Sequence, residues 1–206
     1  MDLWNHFSDI WIHQSYHPVQ PLKGHVVVDI GANIGIFSLW AVRFGASRIV
    51  AVEPHPTTFK LLEEYASGCP ISSLCCAITH DAGRVLLELG DSSTSHRVAQ
   101  AGESGLSASG IEVDAITLDQ LFHMYGIVQC GLLKLDCEGS EYDILLSQPE
   151  CLDVVDQIVL EYHPRSDCHP QLLAQKLSER GFKVLQLSRG AGFGMMKAHR
   201  AHSRSH

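Results

Sequence analysis

The 206-residue sequence has no apolar run long enough to cross a bilayer, which excludes a helical membrane span. It also has no Cys-x-x-Cys pair among its seven cysteines, and Cys75 and Cys76 are neighbours. That spacing argues against a zinc ribbon or a disulfide framework and predicts buried, reduced thiols. Basic charge is scarce: 15 Lys and Arg stand against 23 Asp and Glu, for a net charge of −8 with His neutral. A nucleic-acid binder normally shows a basic stripe, and none is found here, nor an Asn-Pro-Pro-Tyr-like base-flipping motif. The one local basic run, residues 197–206, holds no apolar residue larger than alanine and is expected to fray. Its His199, His202 and His206 have no predicted rigid element to hold a metal. Residues 1–18 lack a basic start and a small-residue cleavage site, so no secretory leader is expected and the expected location is cytoplasmic.

What is present is an alternation of two periodicities. Short β-rich runs are followed by amphipathic stretches, the pattern of a parallel sheet with crossover helices. Strands are expected at residues 25–30, 48–53, 73–79, 131–136 and 156–163, and helices at 34–44, 56–66, 140–146 and 169–181. Residues 111–126 read as a short strand and then a helix, with Thr117 as N-cap. Ala82-Gly83 predicts a turn into a hairpin arm at 84–89, and residues 182–188 and 192–198 a closing antiparallel pair. Residues 91–110, rich in Ser, Gly and Ala, read as a mobile loop, either a lid or a solvated connection. No repeat or linker divides the chain. The expected layout is a helical covering segment over 1–24, one α/β domain over 25–197 and a tail over 198–206.

Four segments carry chemistry. In residues 26–42 an apolar strand ends in Asp29, and the turn Gly31-Ala32-Asn33-Ile34-Gly35 opens a helix. Open α/β sheets bind ligands at the carboxyl ends of their strands. Glycines there permit a tight turn and close approach to the backbone. Asn33 stands where the dinucleotide fingerprint G-x-G-x-x-G has its second glycine, which argues against a pyrophosphate on bare amides. A zwitterionic nucleoside fits better: Asp29 for an ammonium, turn amides for a carboxylate. Glu53 follows about 20 residues on, where a carboxylate accepts hydrogen bonds from ribose hydroxyls. Lys134, Asp136, Glu138 and Glu141 crowd the end of the 131–136 strand. Burying such groups is costly unless they are paired, so a site is expected there, with Lys134 in a structural ion pair. Glu161 and His163 reach the same rim from the next strand, and an imidazole can serve as a general base.

DIGANIGIFSL, VEPHP, the segment from ITLDQL through LLKLDCEGSEYDIL, and VLEYH before an amphipathic helix ending in GF together resemble the FkbM-type family of methyltransferases. The resemblance spans residues 26–184. It implies a Rossmann-like, class I methyltransferase fold: a seven-stranded, mostly parallel sheet with an antiparallel last strand and helices on both faces. It implies S-adenosylmethionine over Asp29, Gly31, Ala32, Asn33 and Gly35, with Glu53 and Pro54 at the ribose and Ala77 and Ile78 beside the adenine. Asp136 and Glu138 would then lie near the methyl, as orienter or base, with Glu161 and His163 as second candidates. The expected reaction is O-methylation of a hydroxyl on a small molecule such as a natural product or sugar. Methylation of an amine or peptide nitrogen, and a non-catalytic module for an adenosine-containing ligand, are the alternatives. A divalent metal on Asp136, Glu138 and Glu161 is not favoured. No nucleic-acid or membrane partner is expected, and the sequence does not set the oligomeric state.

Overall fold

A computed structural model describes residues 7–88, 97–98, 110–163, 165, 168–189 and 193–200. Among them, no helix is long and apolar enough to cross a membrane. The first strand, β1 (Val26–Ile30), lies in the interior of a seven-stranded sheet. Its flanks are β2 (Arg48–Val52) and, beyond it, β3 (Ile71–Leu74). These three run parallel. The rest of the chain order supplies a second sheet from β4 (Ala77–Ile78), β5 (Gly83–Glu88), β6 (Arg97–Val98) and β7 (Gly110–Ile116). The large sheet is completed by β8 (Leu132–Leu135), β9 (Gln157–Tyr162), β10 (Phe182–Arg189) and β11 (Gly194–Arg200), in the order β10-β11-β9-β8-β1-β2-β3. Strand β11 is antiparallel to both neighbours, as the resemblance implied.

Strands β1, β2 and β8 are buried almost throughout because helices cover both faces, and the buried charges among them, Asp29 and Lys134, pair with each other. On one face, Val27, Ala51 and Leu132 pack against Phe37 and Trp40 of α1 (Ile36–Arg43). On the other, Val28, Leu133 and Ile158 pack against α3 (Leu118–Met124), α4 (Glu141–Leu146) and α5 (Pro170–Glu179). The remaining helix, α2 (Pro56–Ala66), starts with Pro at its first turn, where a missing N–H costs nothing. Thr117 caps α3 as expected: its hydroxyl accepts from Gln120 N at 3.2 Å, and Gln120 returns a carbonyl to Thr117 N at 3.0 Å.

Three expectations are corrected. The strand predicted over 73–79 breaks at Cys75-Cys76, so β3 and β4 belong to different sheets. The arm that begins at Gly83 pairs with β7, not with the segment before it, because β7 offers alternating apolar residues Val113 and Ala115 to Leu87. The expected fray at 197–200 is instead part of β11. Arg200 locks it there, donating to the carbonyls of Val155 (3.0 Å), Arg180 (2.8 Å) and Leu152 (2.8 Å). His199 lies in that strand, whereas His202, His206 and most of the 91–110 loop fall outside the described residues. Among the described residues of the amino-terminal segment, Ser8–Ile12 form a five-residue helical turn of the wide π type. Ile10, Tyr16 and Leu22 bury into the α1 face.

Candidate active site

The carboxyl ends of β1, β2, β8 and β9 meet at one rim, and all the predicted site residues except Ala77 and Ile78 lie on these ends or on the turns that follow them. The glycine turn after β1 is shaped by contact. Gly31 sits at φ 73°, and a Cβ there would lie 1.7 Å from the Asp136 carbonyl oxygen. Gly35 sits at φ 88°, with a Cβ position 2.6 Å from Leu62 Cδ1. Asn33 also adopts a left-handed conformation, φ 52°, which asparagine tolerates better than most residues.

Two roles expected of this turn are corrected. Asp29 does not face the crevice; it is 0% exposed. Its Oδ2 accepts from Ser38 Oγ at 2.7 Å and its Oδ1 lies 3.1 Å from Lys134 Nζ. It therefore has no route to a ligand ammonium. The turn amides are likewise spent internally: Gly31 and Ala32 N–H both donate to Val52 O, Asn33 N–H to Glu53, Ile34 N–H to Asn33 Oδ1 and Gly35 N–H to Ala32 O. They do not offer themselves to a carboxylate. The turn supplies shape and a close backbone approach instead.

Glu53 is where expected, just past β2 and buried. Its two oxygens accept from Asn33 N and His55 N, each at 2.9 Å. Each oxygen keeps a second lone pair for a hydroxyl. Burial pushes this carboxyl up to about 7, opposed by the two backbone hydrogen bonds. Pro54 follows it, and its carbonyl meets Cys75 Sγ at 3.8 Å, which brings the β3–β4 break beside Glu53. Ala77 and Ile78 are buried in β4 beyond that break, with their side chains in the core.

Lys134 forms the expected buried ion pair and more. Its Nζ donates to Gly31 O at 2.8 Å and lies 3.7 Å from Asp136 Oδ2, tying the floor of the turn to β8. Burial alone would lower its pKa, but Asp29 and Asp136 outweigh it and raise it.

The four candidate catalytic residues converge. His163 Nε2 lies 3.2 Å from Glu138 Oε2 and 3.7 Å from Glu161 Oε1, and its Nδ1 lies 3.4 Å from Glu141 Oε1. Glu138 sits at φ 52°, in the short turn between β8 and α4. Burial pushes Glu138 up to about 7 against the opposing charge of His163. Burial and the Asp136 charge push Glu161 up to about 7 as well. His163 moves the other way: burial pulls it down, but Glu141, Glu138 and Asp136 together raise it to about 9. The rim thus holds carboxyls poised near neutrality around a cationic imidazole, an arrangement suited to moving protons.

Sequence reasoning missed two supports, Ser38 and Tyr16, and the turn-shaping role of a third residue, Glu141. Ser38 fixes Asp29 from α1. Glu141, fully buried, accepts from Cys137 N (2.8 Å) and Gly139 N (2.9 Å) and so shapes the turn that presents Glu138. Tyr16, from the amino-terminal segment, places its hydroxyl 2.9 Å from Asp136 Oδ2 and 2.6 Å from Glu161 Oε2. The only hint in the sequence was the mixture of aromatic and polar residues in that segment, which marked it as a covering element. As to a metal, Asp136, Glu161 and His163 bring one ligand atom each within 4.8 Å of one another, although Tyr16 already contacts the two carboxylates.

Comparison with known proteins follows the same outline. The pattern of the family described as the methyltransferase FkbM domain matches residues 29–184. The chain is 26% identical to the 31-O-demethyl-FK506 methyltransferase FkbM of Streptomyces tacrolimicus, over 87% of this chain and 81% of that protein. It is 25% identical to the hexuronic acid methyltransferase AglP of Haloferax volcanii, over 82% of this chain and 68% of that one. A Streptococcus pneumoniae protein assigned as a tRNA (m1A22) methyltransferase, solved with S-adenosyl-L-methionine, superposes with TM-score 0.53 at 12% identity, covering 97% of this chain and 74% of its own. That last likeness concerns the fold.

Proposed function

Since this chain belongs to the FkbM family of methyltransferases, we propose that it binds S-adenosylmethionine at the glycine turn and Glu53 and methylates a hydroxyl of a small molecule at the acidic rim. One observation carries the reading: a turn that admits no Cβ at Gly31 lies back to back, through the Asp136 carbonyl, with the cluster of proton-handling groups. The residues present fit the cofactor. Glu53 can take ribose hydroxyls, and Gly31 and Gly35, both at positive φ, let the turn after β1 close tightly against Asp136 and Leu62 beside it. When bound, S-adenosylmethionine supplies an electrophilic methyl group, and its transfer leaves the bonding pair on sulfur.

The chain's own residues then align the acceptor and receive one proton. Alignment in well-oriented systems supplies about 7–11 kcal/mol. A positioned base typically adds about 10²–10⁴-fold. Asp136 or Glu138 serves as that base, with Glu161 and His163 beside them. The names of FkbM and AglP support an oxygen acceptor. The acidic rim itself would also suit a cationic amine, which keeps nitrogen methylation as the second reading. The reading assigns the carboxylates to proton handling rather than to a cation, so transfer is expected to survive chelation.

Calorimetry with S-adenosylmethionine and with NAD, followed by transfer of a labelled methyl group to panels of alcohols, sugars and amines, tests the proposal. Binding of the first compound alone and label on an alcohol or sugar are expected. Binding without transfer to any acceptor would favour a non-catalytic module. Asp136→Asn and Glu138→Gln, assayed separately, identify the base; unchanged turnover in both would remove them from the chemistry.

A further inference from the structure

The family match begins at residue 29, yet a side chain ahead of it reaches the rim. Tyr16 is 5% exposed, and its ring packs edge-on against Phe37 at 5.9 Å between centroids. Lys134 Nζ stands 5.5 Å from the ring centroid. The segment around it is pinned on both sides: Ile10 and Leu22 bury in the same apolar cluster, and Gln20 N–H donates to Gln157 Oε1 at 2.5 Å while Gln157 Nε2 donates back to Gln20 O at 3.3 Å. The ring is therefore fixed, and its hydroxyl cannot swing away without unpacking the α1 face.

That hydroxyl bridges the ends of two strands, touching Asp136 on the turn after β8 and Glu161 on β9. Two carboxylates at such spacing repel each other and would otherwise splay. We infer that Tyr16 is a positioning residue of the transfer site: it clamps Asp136 and Glu161 at a fixed spacing, so the amino-terminal segment completes the active site. Both the phenol and Lys134 engage Asp136 Oδ2, which leaves Oδ1 for the acceptor. As the acceptor oxygen bonds the methyl carbon and the carbon–sulfur bond breaks, the acceptor proton passes to Oδ1. The phenol holds the carboxylate in line for that step without touching the reacting atoms.

The inference rests on the methyl-transfer reading, and the test separates the two. In the full chain, Tyr16→Phe keeps the ring and removes only the clamp. Cofactor affinity by calorimetry is expected to stay near the wild-type value. With an acceptor found by the label screen, kcat is expected to fall about 10- to 100-fold while acceptor KM changes little. A variant that turns over as fast as wild type overturns the clamp alone. A wild-type chain that labels no acceptor overturns the methyl-transfer reading, and the clamp's role in transfer with it. Should the variant fold poorly, NMR of the tyrosine ring carbon bearing the hydroxyl gives an independent readout in the folded, cofactor-free chain. The Tyr16 signal is expected to move in both Asp136→Asn and Glu161→Gln; a signal that moves in neither also overturns the inference.

Discussion

The two ends of the crevice are built on opposite plans. At the glycine turn every charge is matched: Asp29 meets Lys134, the turn amides find acceptors, and Glu53 receives two N–H groups. At the rim, Glu138, Glu141 and Glu161 crowd around the imidazole of His163, and Asp136 beside them shares Lys134 with Asp29. The first end is rigid because its polar groups are satisfied within the protein, and on the proposed reading it meets the cofactor by shape. At the second, Glu138 and Glu161 are raised to about 7, which on the proposed reading lets them exchange protons with a ligand. The proposed function thus divides binding and chemistry between neighbouring strand ends, joined through the carbonyl of Asp136.

Breaking the matched end should cost most. Lys134→Met strands Asp29 as an unpaired charge with no access to water, and removing one partner of a buried pair costs about 3–5 kcal/mol. Urea denaturation at neutral pH measures it. Adding Asp29→Asn should recover much of the loss, since the double variant buries no charge. Gly31→Ala is next. The new methyl would meet the Asp136 carbonyl, and the residue would also be held at positive φ; together these cost about 2–4 kcal/mol. Gly24→Ala is the control: it has φ 81° but nothing within 4 Å of the Cβ position, and should cost only about 1 kcal/mol. Equal losses for the two glycine variants would mean that backbone conformation, and not the close approach, shapes the turn.

The contrast also explains what could be read in advance. The sheet was legible because its strands are mostly apolar, as in residues 26–30 and 132–135 where each run carries a single charged residue, and few other structures bury such runs on both faces. Glu53, Asp136, Glu138, Glu161 and His163 were legible because polar groups directly at the end of a core strand need a reason to be there. Asp29 followed the same rule and misled: its reason is Lys134, a partner over 100 positions away, and spacing along the chain does not reveal such a pairing. Tyr16 and Ser38 were hidden for a related cause, since their roles depend on tertiary packing alone. The break at Cys75-Cys76 was hidden because β-propensity continues through it while the backbone changes sheets.

Glu53→Gln probes where the two plans overlap, since this one matched group also sits near neutrality. Losing a charge-assisted hydrogen bond to a ribose hydroxyl costs about 1.5–3 kcal/mol. Cofactor affinity measured by calorimetry should therefore fall roughly 10- to 100-fold, because 1.36 kcal/mol is a factor of ten. Affinity unchanged within twofold would remove Glu53 from the cofactor site and leave the turn without its main polar anchor.

The smallest effect is a slope. His163 is raised from 6.5 to about 9, so the folded chain holds a proton that the unfolded chain releases above pH 6.5. Its contribution to stability is complete below pH 6.5 and is lost as pH rises through about 9. Glu138 and Glu161, raised from 4.5 to about 7, act in the same sense lower down: their protonated forms favour the fold, and that advantage disappears between pH 4.5 and 7. Stability should therefore decline across the whole interval from pH 5 to 9, opposite to the usual behaviour of carboxylates paired with bases. His163→Gln removes the imidazole's share of that decline, flattening the curve toward pH 9 by on the order of 1 kcal/mol, while Glu138 and Glu161, freed of the opposing charge, rise further. Thermal melts of both chains at several pH values measure the difference. If wild type and variant run parallel over that range, the imidazole is not held as a cation by the carboxylates around it, and the rim would be as well matched as the turn.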